Sequence, residues 1–245
     1  MAASQHSRFC KGCWEQMHVP VPLHGVLSAP FRAFGIRPSR MNPNTCTVCE
    51  LMFTKVMRAR KITIDATILF ADLRGYTSLS QSQSPDAVSG LLDAFYDESA
   101  SAIWHYDGLL NKTIGDAVMA VFNFPLKRDE HPRNAVLAAR EIQKKWRAKR
   151  ESLVKAHGLT ESELGIGIGI HSGELSFGEF GRSHRDLTAI GTVVNTASRA
   201  QSVAEADQIL VTKAVYQRAQ SDLTGSHAKL FQLKGFETPI ELYVA

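Results

Sequence analysis

From Lys61 to Leu73 the chain reads KITIDATILFADL, with Ile62, Ile64, Ala66, Ile68 and Phe70 on alternate positions. That period of two predicts a strand with one buried face, ending on the acidic Asp72. A helix is expected next. Ser84 suits its N-cap, Pro85 its first position and Gly108 its end, with Val88, Leu91, Leu92, Phe95 and Ser99 tracing one face. GLLNKTIGDAVMAVFN reads as two short strands about a tight turn at Ile114 to Asp116. A second helix opens near Pro132. In LGIGIGIHSGELSFGEF, Ile166, Ile168 and Ile170 alternate with glycines, so one face of this strand is bare backbone and something packs very close to it. These glycines lie within the strand and have the wrong spacing for a dinucleotide fingerprint.

GTVVNTASRAQSVA then reads as helix, DQILVTKAVYQRAQ as a strand followed by a helix, and KLFQLKGFETPIELYVA as a closing hairpin. The order is βαββαβ, then α, β, α and a hairpin. Short turns between neighbouring strands imply mostly antiparallel pairing with helices on one face, an α+β fold. Upstream, Leu51, Val56 and Met57 have helical spacing and predict a connecting helix over 51–61. The expected organisation is a cysteine-rich segment over 1–50, this helix, and a main domain over 62–245.

All four cysteines fall in the first fifty residues, as the pairs Cys10/Cys13 and Cys46/Cys49. Two C-x-x-C pairs flanking a Pro- and Gly-containing loop point to a metal knuckle rather than a disulfide framework. Four thiolates on one tetrahedral zinc would fold such a segment. An iron–sulfur cluster uses the same ligands. Composition is otherwise that of a globular chain, 44% hydrophobic and 21% charged over 245 residues. No apolar run reaches the roughly 18 residues that span a bilayer, and the start lacks a secretory core, so a cytoplasmic protein is expected. Residues Met1 to Lys61 hold nine Lys and Arg against two Asp and Glu. That basic balance suits a membrane surface, an acidic partner or simple solvation. No recognition-helix pattern accompanies it, which argues against nucleic acid.

Two carboxylates stand where strands end. In a βαββ unit the first and third strands can lie side by side, which would bring Asp72 and Asp116 together. With the Leu73 carbonyl they would offer hard oxygen ligands for Mg²⁺ or Mn²⁺. The turn at Gly75, Tyr76 and Thr77 then opens a segment whose N–H groups suit phosphate oxygens. A lone Asp in a turn is ordinarily a turn residue, so the pair by itself leaves both roles open. Asn195 and Arg199 are spaced i,i+4 and share a helix face. Together with the bare strand they suit a polyanionic ligand bearing a sugar.

Four stretches in order, FADLRGYT, NKTIGDAVMAVF, TAIGTVVNTASRA and FQLKGF, resemble the class III nucleotidyl cyclases over Ile62 to Ala245. The resemblance implies a ferredoxin-like core extended by αβα and a hairpin. It implies conversion of ATP to 3′,5′-cyclic AMP and pyrophosphate, with two metal ions held by Asp72 and Asp116. Lys112 and Thr188 match the family's base-selecting pair. Asn195 and Arg199 match its transition-state residues, and Gly75, Tyr76, Thr77 and Lys234 its triphosphate contacts. Counting back three residues from Gly191 reaches Thr188, not the nearby Asp186. A donor at Lys112 suits adenine N1. GTP as substrate, a cyclic pyrimidine product and a non-catalytic nucleotide sensor are the alternatives. Family sites form between two subunits, and this chain holds both halves, so the resemblance implies a symmetric homodimer.

Overall fold

The computed structural model describes residues 7–157, 164–181, 183 and 185–245. Its centre is a mixed sheet of β1 (Ile62–Leu73), β2 (Leu109–Ile114), β3 (Ala117–Phe122), β4 (Ile166–Phe180), β5 (Asp186–Ile190), β6 (Gln208–Thr212), β7 (Ala228–Phe231) and β8 (Ile240–Val244). The order is β2-β3-β1-β4-β6-β8-β7, with β5 also paired to β4. Only the β4–β6 pair is parallel; the others run antiparallel. β1 pairs with β4 along its whole length, from Ile62 opposite Phe177 to Leu73 opposite Ile166. β6 takes the first half of the far edge of β4 and β5 the second half. This is the α+β layout expected from the strand pattern, with the short strand β5 added.

The helices α4 (Tyr76–Ser82), α5 (Pro85–His105), α6 (His131–His157), α7 (Thr192–Val203) and α8 (Lys213–Arg218) do not share one face. Leu69, Ala71 and Leu73 pack with Phe95 and Ile103 of α5, Trp146 of α6 and Val215 of α8. Ala66, Ile68 and Phe70, the alternate residues of the same strand, pack with Val193 and Ala197 of α7. The expectation of one helical face is therefore corrected: β1 is apolar on both sides over Ile68 to Ala71, as suits a strand covered on both faces. α5 begins as its sequence demands. Ser84 accepts from the Ala87 N–H at 3.3 Å, Pro85 opens the helix, and Leu91, Phe95 and Ser99 are buried in a stripe.

The bare face of β4 is explained by what lies on it. A Cβ at Gly169 would enter the backbone of α7 at Ala197 and Gln201, and one at Gly167 would enter the Arg74 guanidinium. Elsewhere a buried histidine ties elements together. His131 Nε2 accepts from Arg218 at 2.7 Å, which leaves the ring proton on Nδ1 to donate to Thr67 Oγ1 at 2.7 Å. Burial pushes this imidazole down to about 4, so it is neutral.

Ahead of the sheet lie α1 (Lys11–Met17), α2 (Ala29–Ala33) and α3 (Thr47–Ala59). The connecting helix starts earlier than the apolar spacing predicted, because Cys46 is its N-cap and Cys49 lies within its first turn. Its inward side is Phe53 and Met57, whereas Leu51 and Val56 face out. No helix among the described residues is long and apolar enough to cross a membrane.

Candidate active site and cysteine centre

Antiparallel pairing sets Asp72 opposite Ala117, one residue past the turn that holds Asp116. The Leu73 N–H donates to the Asp116 carbonyl at 3.2 Å and closes the two strands around that turn. Gly115 adopts φ +60°, which a side chain tolerates poorly, and the tight turn follows from it. The two carboxyls are neighbours. Burial first, and then the Asp116 charge, push Asp72 up to about 6. Such a pair is short of positive charge, and its donor set of carboxylate oxygens fits Mg²⁺ or Mn²⁺.

Two groups on Asp72 were not foreseen. Gln201 Nε2 donates to Asp72 Oδ2 at 2.7 Å, and Arg74 Nη1 approaches the same oxygen at 3.3 Å. The other end of the Arg74 guanidinium donates to the Gln201 carbonyl. The end of α7, the turn after β1 and the bare Gly167 thus form one support under Asp72. The only signal was the glycine run, which announced close packing without naming what packs. On the other flank the Tyr96 hydroxyl donates to the Gly115 carbonyl.

A bulge at Asn111 separates Leu110 from Lys112 in the β2–β3 register. Asn111 Nδ2 donates to the Leu187 carbonyl at 2.9 Å, and Thr188 Oγ1 approaches Asn111 Oδ1 at 3.3 Å. The Lys112 ammonium pairs with Asp186. Lys112, Thr188 and Asp186 therefore gather in one place, where β5 meets β2. Asn195 is exposed and Arg199 half-buried on α7, and Lys234 is exposed between β7 and β8. None of these three side chains has a hydrogen bond or ion pair among the described residues. Helical geometry turns about 100° per residue, so Arg199 lies about 200° around α7 from Gln201. Since Gln201 faces Asp72, Arg199 faces away from it. Gly75 sits at φ +78° at the start of α4; Tyr76 packs toward the core and Thr77 is exposed.

Cys10, Cys13, Cys46 and Cys49 are all buried, and their sulfurs lie within 4.8 Å of one another. Three pairs measure 3.4 to 3.6 Å. A tetrahedral ion with bonds of about 2.3 Å sets sulfurs about 3.8 Å apart, so the cluster fits one such ion. Backbone N–H groups of Cys13 and Cys46 point at Cys10 Sγ, at 3.4 and 3.2 Å. The thiols are of unequal acidity. Donation from Cys10 and Cys49 brings Cys46 down to about 2, while burial above all pushes Cys13 up to about 12. A cation is what lets all four ionise. These cysteines are four of the six buried residues in the small core around Val21 and Leu23, so little apolar surface holds the segment together otherwise.

The segment is docked on the α5–β2 corner. Asp107, 7% exposed at φ +59°, takes Lys11 at 2.6 Å, Arg128 at 2.9 Å and Asn44 at 3.3 Å. Asn44 also donates to the Trp104 carbonyl at 2.7 Å and Asn42 to the Gly108 carbonyl at 2.9 Å. Trp104 Nε1 returns a bond to the Met41 carbonyl at 2.9 Å, and Arg128 reaches Glu15 at 2.7 Å.

The sheet, with helices on both faces, has the fold of solved nucleotidyl cyclase domains. Residues 59–245 match the adenylate and guanylate cyclase catalytic domain, and the chain belongs to that family. An adenylate cyclase of Anabaena cylindrica is 31% identical over 183 residues, covering 72% of this chain and 36% of the relative. Guanylate cyclase 32E of Drosophila melanogaster is 33% identical over 156 residues, 63% of this chain and 13% of the relative. The chain thus spans about a third or less of the length of these relatives. Among solved structures, the adenylyl cyclase CyaB from P. aeruginosa matches with TM-score 0.69 and 29% identity over 76% of this chain and 95% of that one. The guanylyl cyclase Cya2 matches with TM-score 0.69 and 27% identity over 75% and 92%.

Proposed function

We propose that the chain is an adenylate cyclase that turns ATP into 3′,5′-cyclic AMP and pyrophosphate at two equivalent sites of a homodimer. The observation that carries this reading is the grouping of Lys112 with Thr188: the ammonium suits the acceptor N1 of adenine, and the hydroxyl can accept from the neighbouring 6-amino group. In the reaction the ribose 3′-oxygen bonds to its own α-phosphorus, its proton leaves, and the bond from the α-phosphorus to the bridging oxygen of pyrophosphate breaks. Asp72 and Asp116, with the Leu73 carbonyl as a further ligand, would hold divalent cations, which when bound would acidify that hydroxyl and neutralise the triphosphate. Asn195 orients the ribose so that the attacking oxygen lies in line, and Arg199 stabilises charge on the α-phosphoryl group. Lys234 and the Gly75–Thr77 turn bind the remaining phosphates. Because Arg199 and Gln201 face opposite sides of α7, Arg199 serves the aspartates of the second subunit. The cysteine centre holds a structural zinc ion; the short sulfur separations argue against a multi-iron cluster.

A second reading rests on Asp186. Its carboxylate, paired to Lys112, is an acceptor for guanine N1–H and would favour GTP. Turnover of each of the four nucleoside triphosphates, with Mg²⁺ and with Mn²⁺, separates the two. A purine preference that does not change in Lys112→Glu removes Lys112 from base selection. Mixing Asp72→Ala with Arg199→Ala chains is expected to restore about a quarter of the wild-type activity per chain, since shared sites leave one good site in each heterodimer. No recovery on mixing refutes the shared site.

A further inference from the structure

The tip of the cysteine-rich segment carries side chains that its own fold does not use. From Val26 to Ala33 the backbone is helical without a break, a 3₁₀ turn (Val26–Ser28) running into α2. Ser28 is buried and Phe31 packs toward the cysteine core, which defines the inner side. Val26, Leu27, Pro30 and Phe34 are all exposed, turned away from that inner side. Val26 is 90% exposed, Phe34 85% and Leu27 71%. Gly25 and Gly35 bracket the tip at φ +80° and +77°, and a Cβ at either would meet nothing within 4 Å, so the tip stands clear.

Charge completes the description. Between Glu15 and Glu50 the chain has no acidic residue, and it carries Arg32, Arg37 and Arg40, all exposed. Arg8 joins them, lining the same cleft as Val26 and Leu27. We propose that this tip docks the protein on an anionic lipid bilayer, with Val26, Leu27 and Phe34 entering the headgroup boundary and Arg8, Arg32 and Arg37 meeting lipid phosphates and carboxylates. A second copy is disfavoured as the occupant, because pairing of the tip with itself sets arginine against arginine with no acid to answer it. An acidic protein is disfavoured by shape. Phe34, 85% exposed, projects outside the cleft that Val26 and Leu27 line, and a bilayer accepts such a projection without a matching cavity.

The tip belongs to a module docked at the Gly108 end of β2, and the Asp116 turn is at the other end, so substitutions at the tip leave the chemistry alone. The test is flotation of the full, metal-loaded chain with vesicles of phosphatidylcholine alone and with about 30% phosphatidylserine, at low and high salt. Partition onto the serine-lipid vesicles is expected to be at least about tenfold stronger and to weaken with salt. Leu27→Glu with Phe34→Glu, both at exposed positions, is expected to cut that binding at least about tenfold. Arg32→Gln with Arg37→Gln is expected to erase most of the preference for the anionic lipid. Melting temperature and turnover in solution stay as in the wild type for both. Equal binding to the two vesicle types, or binding retained by the Glu variant, overturns the proposal. So does a lower molar mass of that variant by light scattering, which would make the tip a contact between copies, or saturable binding to an acidic protein with none to vesicles.

Discussion

The two ends of β2 treat charge in opposite ways. At its start, Asp107 is buried and answered three times over, by Lys11, Arg128 and Asn44. At its far end, Asp72 and Asp116 crowd one another, and burial first, then the Asp116 charge, push Asp72 up to about 6. Asn195, Arg199 and Lys234 extend that contrast, since their polar ends have no side-chain partner among the described residues. A docking contact is stable when it is saturated within the chain. A catalytic centre must leave valences open for what it binds, and it is the less stable for it.

The largest effect is expected at the saturated end, from removing the metal proposed for the cysteine centre. Cys46→Ser, or stripping with a strong chelator, is expected to melt the segment around α1 and α2, since binding of a structural zinc is worth roughly 10 kcal/mol or more. Zinc content and a calorimetric scan check this: the small transition is lost while that of the sheet remains. A middle-sized effect is expected from Asp107→Ala, which leaves Lys11 and Arg128 facing a void. A loss of about 3 kcal/mol in urea unfolding is expected, with Asp107→Asn falling between that variant and the wild type. The smallest is at the open end. Gln201→Ala removes one donor to Asp72 and is expected to weaken Mn²⁺ binding about tenfold, read by paramagnetic resonance of the bound ion without nucleotide. If Asp107→Ala costs nothing while Gln201→Ala unfolds the chain, the contrast is reversed and the account is wrong.

Much of this was legible in the chain because it depends on periodicity and local stereochemistry. The alternation from Ile62 to Phe70 marked β1, Ser84-Pro85 marked the start of α5, and the glycines of β4 marked a close approach. What escaped depends on distant partners. Gln201 is one polar residue on an amphipathic helix, and nothing local distinguishes a glutamine that reaches Asp72 from one in water. Asp107 read as the tail of a helix; its importance comes from Lys11 and Asn44, far upstream. β5 spans only Asp186 to Ile190, too short for alternation to stand out. Leu51 and Val56 had helical spacing yet face solvent, because the cysteine knuckle starts α3 early and sets its rotation.

The bare Gly169 has a mechanical consequence. With the backbone of α7 seated directly on β4 at that residue, the helix has no room to slide or roll against the sheet. Asn195 and Arg199 are therefore fixed in the frame of the sheet. In a homodimer of the kind proposed above, opening and closing around a nucleotide would then fall to rigid-body rotation of one subunit against the other rather than to sliding of α7.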